Sequence, residues 1–230
     1  MAMSMTRIDD DTSKRDWVVF LYKEDISHGL SRLARHIMQE YPKKYVSSSG
    51  EQCNRDVVLV GILTGAVYFT VDLSRLLGFD HSVSFVRSSS YHNNQTSSNV
   101  AEITGLSESE LTNLCNKDVI VLDELYDSGR TLHEVISYLK VYNPASIKTG
   151  VMFRKRKEDV KFPPPDYCAL DNLPDVWYVG YGLDDCGTKR ELTALYAVPK
   201  ATGVAKTPDD IILESDKHRI DAQDNVVIIS

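Results

Sequence analysis

The sequence predicts an α/β fold in which helices flank a central parallel sheet, and two observations lead to this prediction. First, Val57 to Leu63 and Val119 to Leu122 are apolar runs rich in β-branched residues, as is typical of strands buried on both faces of a parallel sheet. Second, each run leads through a short turn with a glycine into apolar residues at helical spacing, such as Leu132, Val135 and Leu139. Strands that alternate with helices in this way indicate an α/β fold.

The length of 230 residues suits one α/β domain with extensions. We expect this domain to span residues 16–200. Residues 1–15 are polar and charged without periodicity, which predicts a mobile N-terminal arm. Residues 201–230 combine an acidic stretch with a short apolar run and are predicted to form a C-terminal extension.

Charge and cysteine content restrict the partners and the compartment. The net charge of −7, from 26 basic and 33 acidic side chains, does not favour nucleic acid as a partner. No apolar run approaches the length of a membrane-spanning helix, so no membrane partner is predicted. The four cysteines lie far apart without a C-x-x-C pair, and we recognise no signal peptide, which favours a reduced, cytoplasmic protein. The last residues, Ile228 to Ser230, do not match a peroxisomal address of the Ser-Lys-Leu type.

Before the first long strand, the pattern predicts a short strand and a helix. Val18 to Leu21 is the predicted strand, and apolar residues at helical spacing from Ile26 to Met38 predict the helix. Residues 43–55 are polar and rich in serine and are predicted to be a loop. The turn Thr64-Gly65-Ala66 then leads from the first long strand into a second helix.

After the second helix, Ser82 to Val86 is predicted to be a strand. Ser88 to Ser98 is a run of small polar residues that cannot bury itself, for which a flexible loop is the simplest interpretation. Phe162 to Pro165 contains three prolines and predicts an extended connection. The remaining predicted strands are Ile147 to Phe153, the stretch from Val176, and Leu195 to Val198.

The stretch from Val119 to Leu132 contains the strongest candidate site. Asp123 and Glu124 end the apolar run at the carboxyl edge of the predicted sheet, where ligands bind in open α/β folds. The turn from Asp127 to Thr131 supplies hydroxyls, a glycine and the N–H groups of a helix N-terminus, which together suit a phosphate. An acidic pair beside a phosphate site suggests a sugar phosphate, whose hydroxyls would donate to the carboxylates. An ordinary strand-to-helix turn with acidic capping residues is the alternative.

This stretch resembles the signature of the phosphoribosyltransferase family: apolar residues, an acidic pair, two further residues, and Asp-[Ser/Thr]-Gly-x-[Thr/Ser]. The resemblance implies a type I phosphoribosyltransferase-like fold, with a small hood subdomain formed by the N-terminal segment and residues at about 160–198. It also implies that the phosphoribosyl group is bound by Asp123, Glu124, Asp127, Ser128, Gly129, Arg130 and Thr131.

Further elements resemble the purine branch of the family. Leu63-Thr64-Gly65 is similar to a Leu-Lys-Gly turn that binds pyrophosphate, to which Arg190 is also expected to contribute. Ser90-Tyr91 is similar to the start of a lid loop that closes over the reacting centre. The expected purine-binding residues are Lys155, Trp177, Tyr178 and Asp184.

The resemblance implies an enzyme of purine salvage. Such enzymes transfer the phosphoribosyl group of phosphoribosyl pyrophosphate to hypoxanthine, guanine or, as a further candidate, xanthine, giving the nucleoside monophosphate (IMP, GMP or XMP) and pyrophosphate. Asp127 is the expected catalytic base, and Mg²⁺ the expected cofactor, held by Asp123, Glu124 and Asp184. A homodimer or homotetramer is expected.

Two alternatives stay open at this point. One is an enzyme that prefers xanthine, and the other is a non-catalytic regulator that senses phosphoribosyl pyrophosphate. The acidic net charge and the retained Asp127 speak against a regulator that binds DNA. The chain also departs from the hypoxanthine-guanine pattern, because its acidic pair is Asp-Glu rather than Glu-Asp, and because Thr64 and Arg130 replace common lysines.

Overall fold

The computed structural model describes residues 17–42, 44–46, 50, 52–90, 101–158 and 160–198. The predicted arm, 1–15, and the predicted extension, 201–230, lie outside the described residues. In chain order the elements are β1 (Val18–Leu21), α1 (Lys23–Glu40), β2 (Lys44–Val46), β3 (Gln52–Asn54), β4 (Val57–Leu63), α2 (Val67–Leu76), β5 (His81–Ser90), β6 (Ala101–Thr104), α3 (Glu108–Thr112), β7 (Asp118–Tyr126), α4 (Arg130–Lys140), β8 (Ser146–Lys155), β9 (Tyr167–Leu173), β10 (Trp177–Val179) and β11 (Leu195–Val198).

The central sheet has six strands in the order β6-β5-β4-β7-β8-β9. Its strands are parallel except for β6, which pairs with β5 in the antiparallel direction. The prediction of a central, mainly parallel sheet flanked by helices is therefore confirmed. The strands that follow β4 in sequence lie on one side of it, β5 and then β6. The later strands β7, β8 and β9 lie on its other side. The strand order therefore reverses between β4 and β7, and such a switch point is where ligands bind in open α/β sheets.

Both faces of the inner strands are buried, as their apolar composition predicts. Val57 and Leu59 of β4 pack into one core cluster, which contains residues of α1 and α2. Val58 and Val60 alternate with them and pack into a second cluster with Leu132 of α4. The period of two along a strand distributes one apolar run between two helical layers, which fixes the carboxyl edge of the sheet in place.

A second, small sheet lies apart from the central one in strand order. β11 is its middle strand and pairs in antiparallel fashion with β1 on one side and β10 on the other. The ring of Phe20, in β1, lies 5.2 Å from the ring of Tyr178, in β10. The sheet therefore joins the start and the end of the described chain.

Three predictions about elements are wrong. The predicted loop at 43–55 contains the antiparallel pair of β2 and β3. The first helix begins at Lys23 rather than at Ile26, because the carboxylate of Asp25 accepts a hydrogen bond from the backbone N–H of Tyr22 at 3.0 Å and so caps an earlier start. Residues 88–90 extend β5 and were expected in a loop.

Candidate active site

The carboxyl ends of β4 and β7 form the crevice in which the predicted residues meet. The strands are adjacent and parallel, with Gly61 opposite Leu122, so the chain leaves both strands at the same edge of the sheet. From β4 it enters the turn Thr64-Gly65-Ala66, and β7, which carries Glu124 near its end, leads into the turn at Asp127. Two turns that lie far apart in sequence thus border one crevice at the switch point.

The turn after β7 has the geometry of an anion site at a helix N-terminus. Gly129 has φ +77° and is the N-cap of α4, a conformation that favours glycine. A Cβ atom on Gly129 would lie 2.6 Å from the ring of Tyr126, so the turn also needs glycine for space. Ser128 and Thr131 are exposed, and Oγ of Ser128 accepts from the backbone N–H of Arg130 at 3.4 Å. The first turn of a helix leaves further N–H groups without a partner within the helix.

Arg130 begins α4 and its side chain is oriented by its own helix. Its Nε donates to Oε1 of Glu134 at 2.7 Å, the i,i+4 spacing at which oppositely charged side chains meet on a helix. The guanidinium therefore lies alongside the turn of residues 127–131.

The acidic pair lies in the crevice, where Asp123 is buried and Glu124 is half-buried. Asp123 is only 9% exposed, and its Oδ1 accepts a hydrogen bond from the backbone N–H of Glu124 at 3.1 Å. Burial raises the pKa of Asp123 well above its ordinary value, and repulsion by Glu124 raises it further. Burial also raises the pKa of Glu124, while the guanidinium of Arg190 lowers it in part. The raised pKa values mean that the protein supplies too little positive charge to compensate both carboxylates in their ionised form.

Two glycines allow the surrounding backbone to approach this pair. A Cβ atom on Gly65 would lie 1.9 Å from Oε1 of Glu124, and one on Gly182 would lie 2.1 Å from the carbonyl oxygen of Gly65. Gly182 also has φ +101°. Any side chain at either position would separate the turn after β4 from the acidic pair or from the segment that follows β10. Leu63 and Thr64 complete this turn, and Thr64 is exposed.

Arg190 and Asp184 form the far wall of the crevice. Nη2 of Arg190 lies 2.6 Å from Oδ1 of Asp184, and its Nη1 donates to the carbonyl oxygen of Gly182 at 2.6 Å. The other carboxylate oxygen of Asp184 accepts from the backbone N–H of Gly187 at 2.7 Å. The guanidinium is thus held beside Gly65 and the acidic pair, where it favours an anionic ligand.

Four charged side chains of alternating sign lie at the start of the turn of Asp127 to Thr131. Lys155, at the end of β8, has its Nζ 3.2 Å from Oδ1 of Asp175 and 3.9 Å from Oδ2 of Asp127. Lys157 forms an ion pair with Oδ1 of Asp127, and its Nζ lies 3.7 Å from Oδ1 of Asp175. The hydrogen bond that Lys157 donates to Asp127 raises the pKa of Lys157. We call these four residues the charge ring.

The aromatic residues of β10 point in opposite directions. Trp177 is 51% exposed, whereas Tyr178 is buried. The hydroxyl of Tyr178 donates to the carbonyl oxygen of Pro174 at 2.9 Å, and Nζ of Lys155 lies 5.9 Å from its ring centroid. Trp177 therefore has a face available for stacking, and Tyr178 instead places its ring near the ammonium of Lys155.

The structure brings together the predicted residues of β4, β7, β8 and the segment after β10. Ser90 is the last residue of β5, and Tyr91 lies outside the described residues. Sequence reasoning noticed the basic run that contains Lys157 but assigned only Lys155 to the site, and it missed Asp175. The position of Asp175 between Pro174 and Trp177 carries no signal of its own, so only the fold shows that it meets the lysines.

Among the residues that the structure describes, no three or more His, Cys, Asp or Glu side chains are grouped so that they could hold a metal ion. A Mg²⁺ ion does not need three such side chains, because in phosphate sites it is bound by one or two carboxylates together with substrate oxygens and water. Asp123 and Glu124 are adjacent, buried and half-buried respectively, and short of compensating charge, so they fit such an ion.

The helices that the structure describes are all too short or too polar to span a membrane.

Comparison with known proteins agrees with this geometry. Residues 26–185 match the family model described as "Phosphoribosyl transferase domain". Over 182 residues the chain is 36% identical to a hypoxanthine-guanine phosphoribosyltransferase of Dictyostelium discoideum, a match that covers 77% of this chain and 92% of the relative. It is 32% identical over 181 residues to the hypoxanthine-guanine phosphoribosyltransferase of Aquifex aeolicus, covering 78% and 93% of the two chains.

Solved structures show the same architecture. A hypoxanthine phosphoribosyltransferase from Staphylococcus aureus superimposes with a TM-score of 0.66 at 26% identity. The match covers 79% of this chain and 91% of that protein. The similarity therefore extends over the central sheet and its flanking helices.

Proposed function

The chain belongs to the phosphoribosyltransferase family, and we propose that it transfers the 5-phosphoribosyl group of phosphoribosyl pyrophosphate to a 6-oxopurine. The bond from C1 of the ribose to pyrophosphate breaks, and a bond from C1 to a ring nitrogen of the purine forms. The products are a nucleoside monophosphate and pyrophosphate, which is the reaction of a purine salvage enzyme. Hypoxanthine and guanine are the proposed bases, in keeping with the names of the relatives.

One observation carries this proposal: Nζ of Lys155 and Oδ2 of Asp127 lie 3.9 Å apart beside the phosphate turn. They offer a hydrogen-bond donor and an acceptor side by side. A 6-oxopurine presents the complementary groups along one edge, the O6 acceptor and the N7–H donor. Adenine carries an amino group at C6, which would place donors against the ammonium of Lys155 and so be refused.

The rest of the substrate fits the crevice. We assign the 5-phosphate to the turn of Ser128, Gly129, Arg130 and Thr131, whose N–H groups and hydroxyls suit an anion. The ribose hydroxyls would donate to Asp123 and Glu124. Pyrophosphate would lie at the turn of Leu63, Thr64 and Gly65, within reach of Arg190.

Mg²⁺ is the proposed cofactor, for which Asp123, Glu124 and Asp184 are the proposed carboxylates, of which one or two at a time would bind the ion together with substrate oxygens and water. When bound, the ion would stabilise the negative charge of the departing pyrophosphate. Asp127 is the proposed base that takes the N7 proton as the purine attacks, and Trp177 would stack on the base. A lid beginning at Ser90 and Tyr91 would exclude water from the ribosyl cation.

We also propose a hood, an assembly and a compartment for this protein. The small sheet of β1, β10 and β11 would be the hood that covers the base, within a domain of residues 16–200. A homodimer or homotetramer is the proposed assembly, and light scattering during gel filtration would measure it. The cytoplasm is the proposed compartment, on the basis of the scattered cysteines, of which Cys115, Cys168 and Cys186 are free.

Xanthine is a further candidate base. It carries an oxo group at C2 and is partly anionic near neutral pH, so the two lysines of the charge ring would favour it. A regulator that only senses phosphoribosyl pyrophosphate is the second candidate function. It is disfavoured because such a regulator would not need a charge ring shaped for a base.

The test is an assay of the purified protein with Mg²⁺ and phosphoribosyl pyrophosphate. Hypoxanthine, guanine, xanthine and adenine are supplied in turn, and products are separated by chromatography. We expect IMP and GMP, a smaller yield of XMP, and no AMP. Binding of phosphoribosyl pyrophosphate in calorimetry without any nucleotide product would instead identify a sensor.

A further inference from the structure

The two carboxylate oxygens of Asp127 have different environments. Oδ1 is buried and forms the ion pair with Lys157. The side chain as a whole is 46% exposed, so the accessible part lies on its other atoms. Oδ2 faces Lys155 across 3.9 Å, which is longer than a charge-assisted hydrogen bond of about 2.8 Å. The carboxylate is therefore held by one oxygen and leaves the other for a ligand.

The distance between Asp127 and Lys155 needs an explanation, because opposite charges so close would be expected to pair directly. Each is engaged by another member of the charge ring. Lys157 pairs with Asp127, and Asp175 lies 3.2 Å from Lys155. The contacts of Lys157 with Asp127 and of Asp175 with Lys155 compete with direct pairing of Lys155 and Asp127. Direct pairing would satisfy both groups and leave neither for the base.

The connection that carries Lys157 is fixed to the unit that carries Asp127. The hydroxyl of Tyr126, the residue before Asp127, donates to the carbonyl oxygens of Phe162 at 2.8 Å and Pro163 at 3.0 Å. The ring of Phe162 lies 4.8 Å from the ring of His133 in α4. Both ends of the ion pair are therefore anchored to the same strand, turn and helix.

We propose that Lys157 is a positioning residue that keeps Asp127 and Lys155 apart, so that the edge of a 6-oxopurine can enter between them. This inference rests on the proposed function. Lys157 acts through Asp127 and need not touch the purine. Asp175 has the same role toward Lys155. Without Lys157, the carboxylate of Asp127 turns toward Lys155 and closes the gap that the base should occupy.

The test compares Lys157→Gln, which removes the charge, with Lys157→Arg, which retains it. Lys140→Gln, at an exposed lysine at the far end of α4, is the matched control. We expect Lys157→Gln to lower kcat/KM for hypoxanthine about tenfold, as is usual for residues in direct contact, with KM for phosphoribosyl pyrophosphate unchanged. Lys157→Arg should recover most of the activity, and Lys140→Gln should match the wild type.

A double mutant separates positioning from a general structural role. If Lys157 acts only through Asp127, then Lys157→Gln should cause no further loss in an Asp127→Asn background. An equal loss in both backgrounds, or wild-type kinetics of Lys157→Gln, would overturn the proposal. If Lys157→Gln does not fold, Asp175→Asn takes its place. We expect this variant to have a raised KM for hypoxanthine. Unchanged kinetics of Asp175→Asn would contradict the positioning role.

A crystal structure gives an independent readout. In Lys157→Gln, Nζ of Lys155 and Oδ2 of Asp127 should approach to about 2.8 Å, and an unchanged gap would contradict the inference. These outcomes are distinct from failure of the proposed function. Absence of nucleotide product from the wild type with every oxopurine would refute that function, whereas a normal Lys157→Gln enzyme refutes only the positioning role.

Discussion

Asp123 and Asp127 lie on the same strand and its following turn, yet their surroundings differ. Asp123 is buried beside another carboxylate, and burial and repulsion raise its pKa. Asp127 is half-exposed and pairs with Lys157. A buried charge without full compensation is unfavourable until a ligand compensates it, whereas a paired carboxylate is already ordered. The side of the crevice proposed for the sugar (the sugar side) therefore depends on its ligand, and the side proposed for the base (the base side) is organised before the ligand arrives.

The largest expected effect comes from Asp127→Asn, which acts on the base side alone. The change keeps the shape and removes the proton acceptor, so kcat should fall by about 10²–10⁴. Affinity for phosphoribosyl pyrophosphate, measured by calorimetry, should stay close to that of the wild type. A variant that turns over at the normal rate would remove Asp127 from the role of base.

Gly65→Ala should damage the sugar side and spare the base side. The added Cβ would overlap Oε1 of Glu124 at 1.9 Å, so the turn or the carboxylate must move. A displacement of about 1 Å lowers activity about 10²-fold, and we expect this loss in kcat/KM for phosphoribosyl pyrophosphate. Gly78→Ala is the control, because its Cβ would meet only Sδ of Met38 at 3.4 Å. Equal kinetics of the two variants would contradict the tight approach at Gly65.

Lys155→Gln removes the donor that we propose for O6 of the base. KM for hypoxanthine should rise about tenfold, since a buried polar partner is lost. The amide oxygen of Gln can accept from an amino group, so weak use of adenine is also expected. Steady-state kinetics with both bases measures the change. If every oxopurine kept its kinetic constants, Lys155 would not contact the base.

The smallest effect is one of stability, and its sign follows from the buried pair. The folded protein holds the proton of Asp123 more tightly than the unfolded chain does, so this group lowers stability as pH rises from about 4, the unfolded value, through the raised folded pKa. Asp123→Asn should remove that loss and raise the free energy of unfolding at pH 7.5 by about 1 kcal/mol.

Thermal melts at pH 5 and pH 7.5, without Mg²⁺ or substrate, measure this effect. The difference in stability between the two pH values should be smaller in Asp123→Asn than in the wild type. The same variant should bind phosphoribosyl pyrophosphate with Mg²⁺ more weakly. A variant less stable than the wild type at pH 7.5 would show that Asp123 is better compensated than its burial implies.

The sequence predicted the elements whose pattern is local. The apolar run at Val57–Leu63 forms β4 with the same bounds, and Leu195–Val198 forms β11 as expected. Strand β9 was missed because Asp171 and Asn172 interrupt its apolar pattern. Asn172 has φ +66°, and the pairing with β8 shifts register between Phe153 and Lys155. A strand whose place is fixed by its neighbour rather than by its own pattern is difficult to predict.

The same distinction holds at the site. The turn of Asp127 to Thr131 is contiguous in sequence, so its residues are recognisable from their spacing. The charge ring is assembled from three separate segments, and its alternation of charge exists only after β7, β8 and the chain before β10 are brought together. The exposure of Trp177 and the burial of Tyr178 likewise follow from the pairing of β10 with β11, which fixes the face on which each ring lies.

The central place of β11 in the small sheet has a consequence for synthesis on the ribosome. β1 is made at the beginning of the described chain and β11 at its end, and neither β1 nor β10 has another partner strand in that sheet. The turn of Asp127 to Thr131 can form once β4, β7 and α4 have emerged. The surface that presents Trp177 must wait for residues 195–198, so a nascent chain would form this turn before it forms that surface.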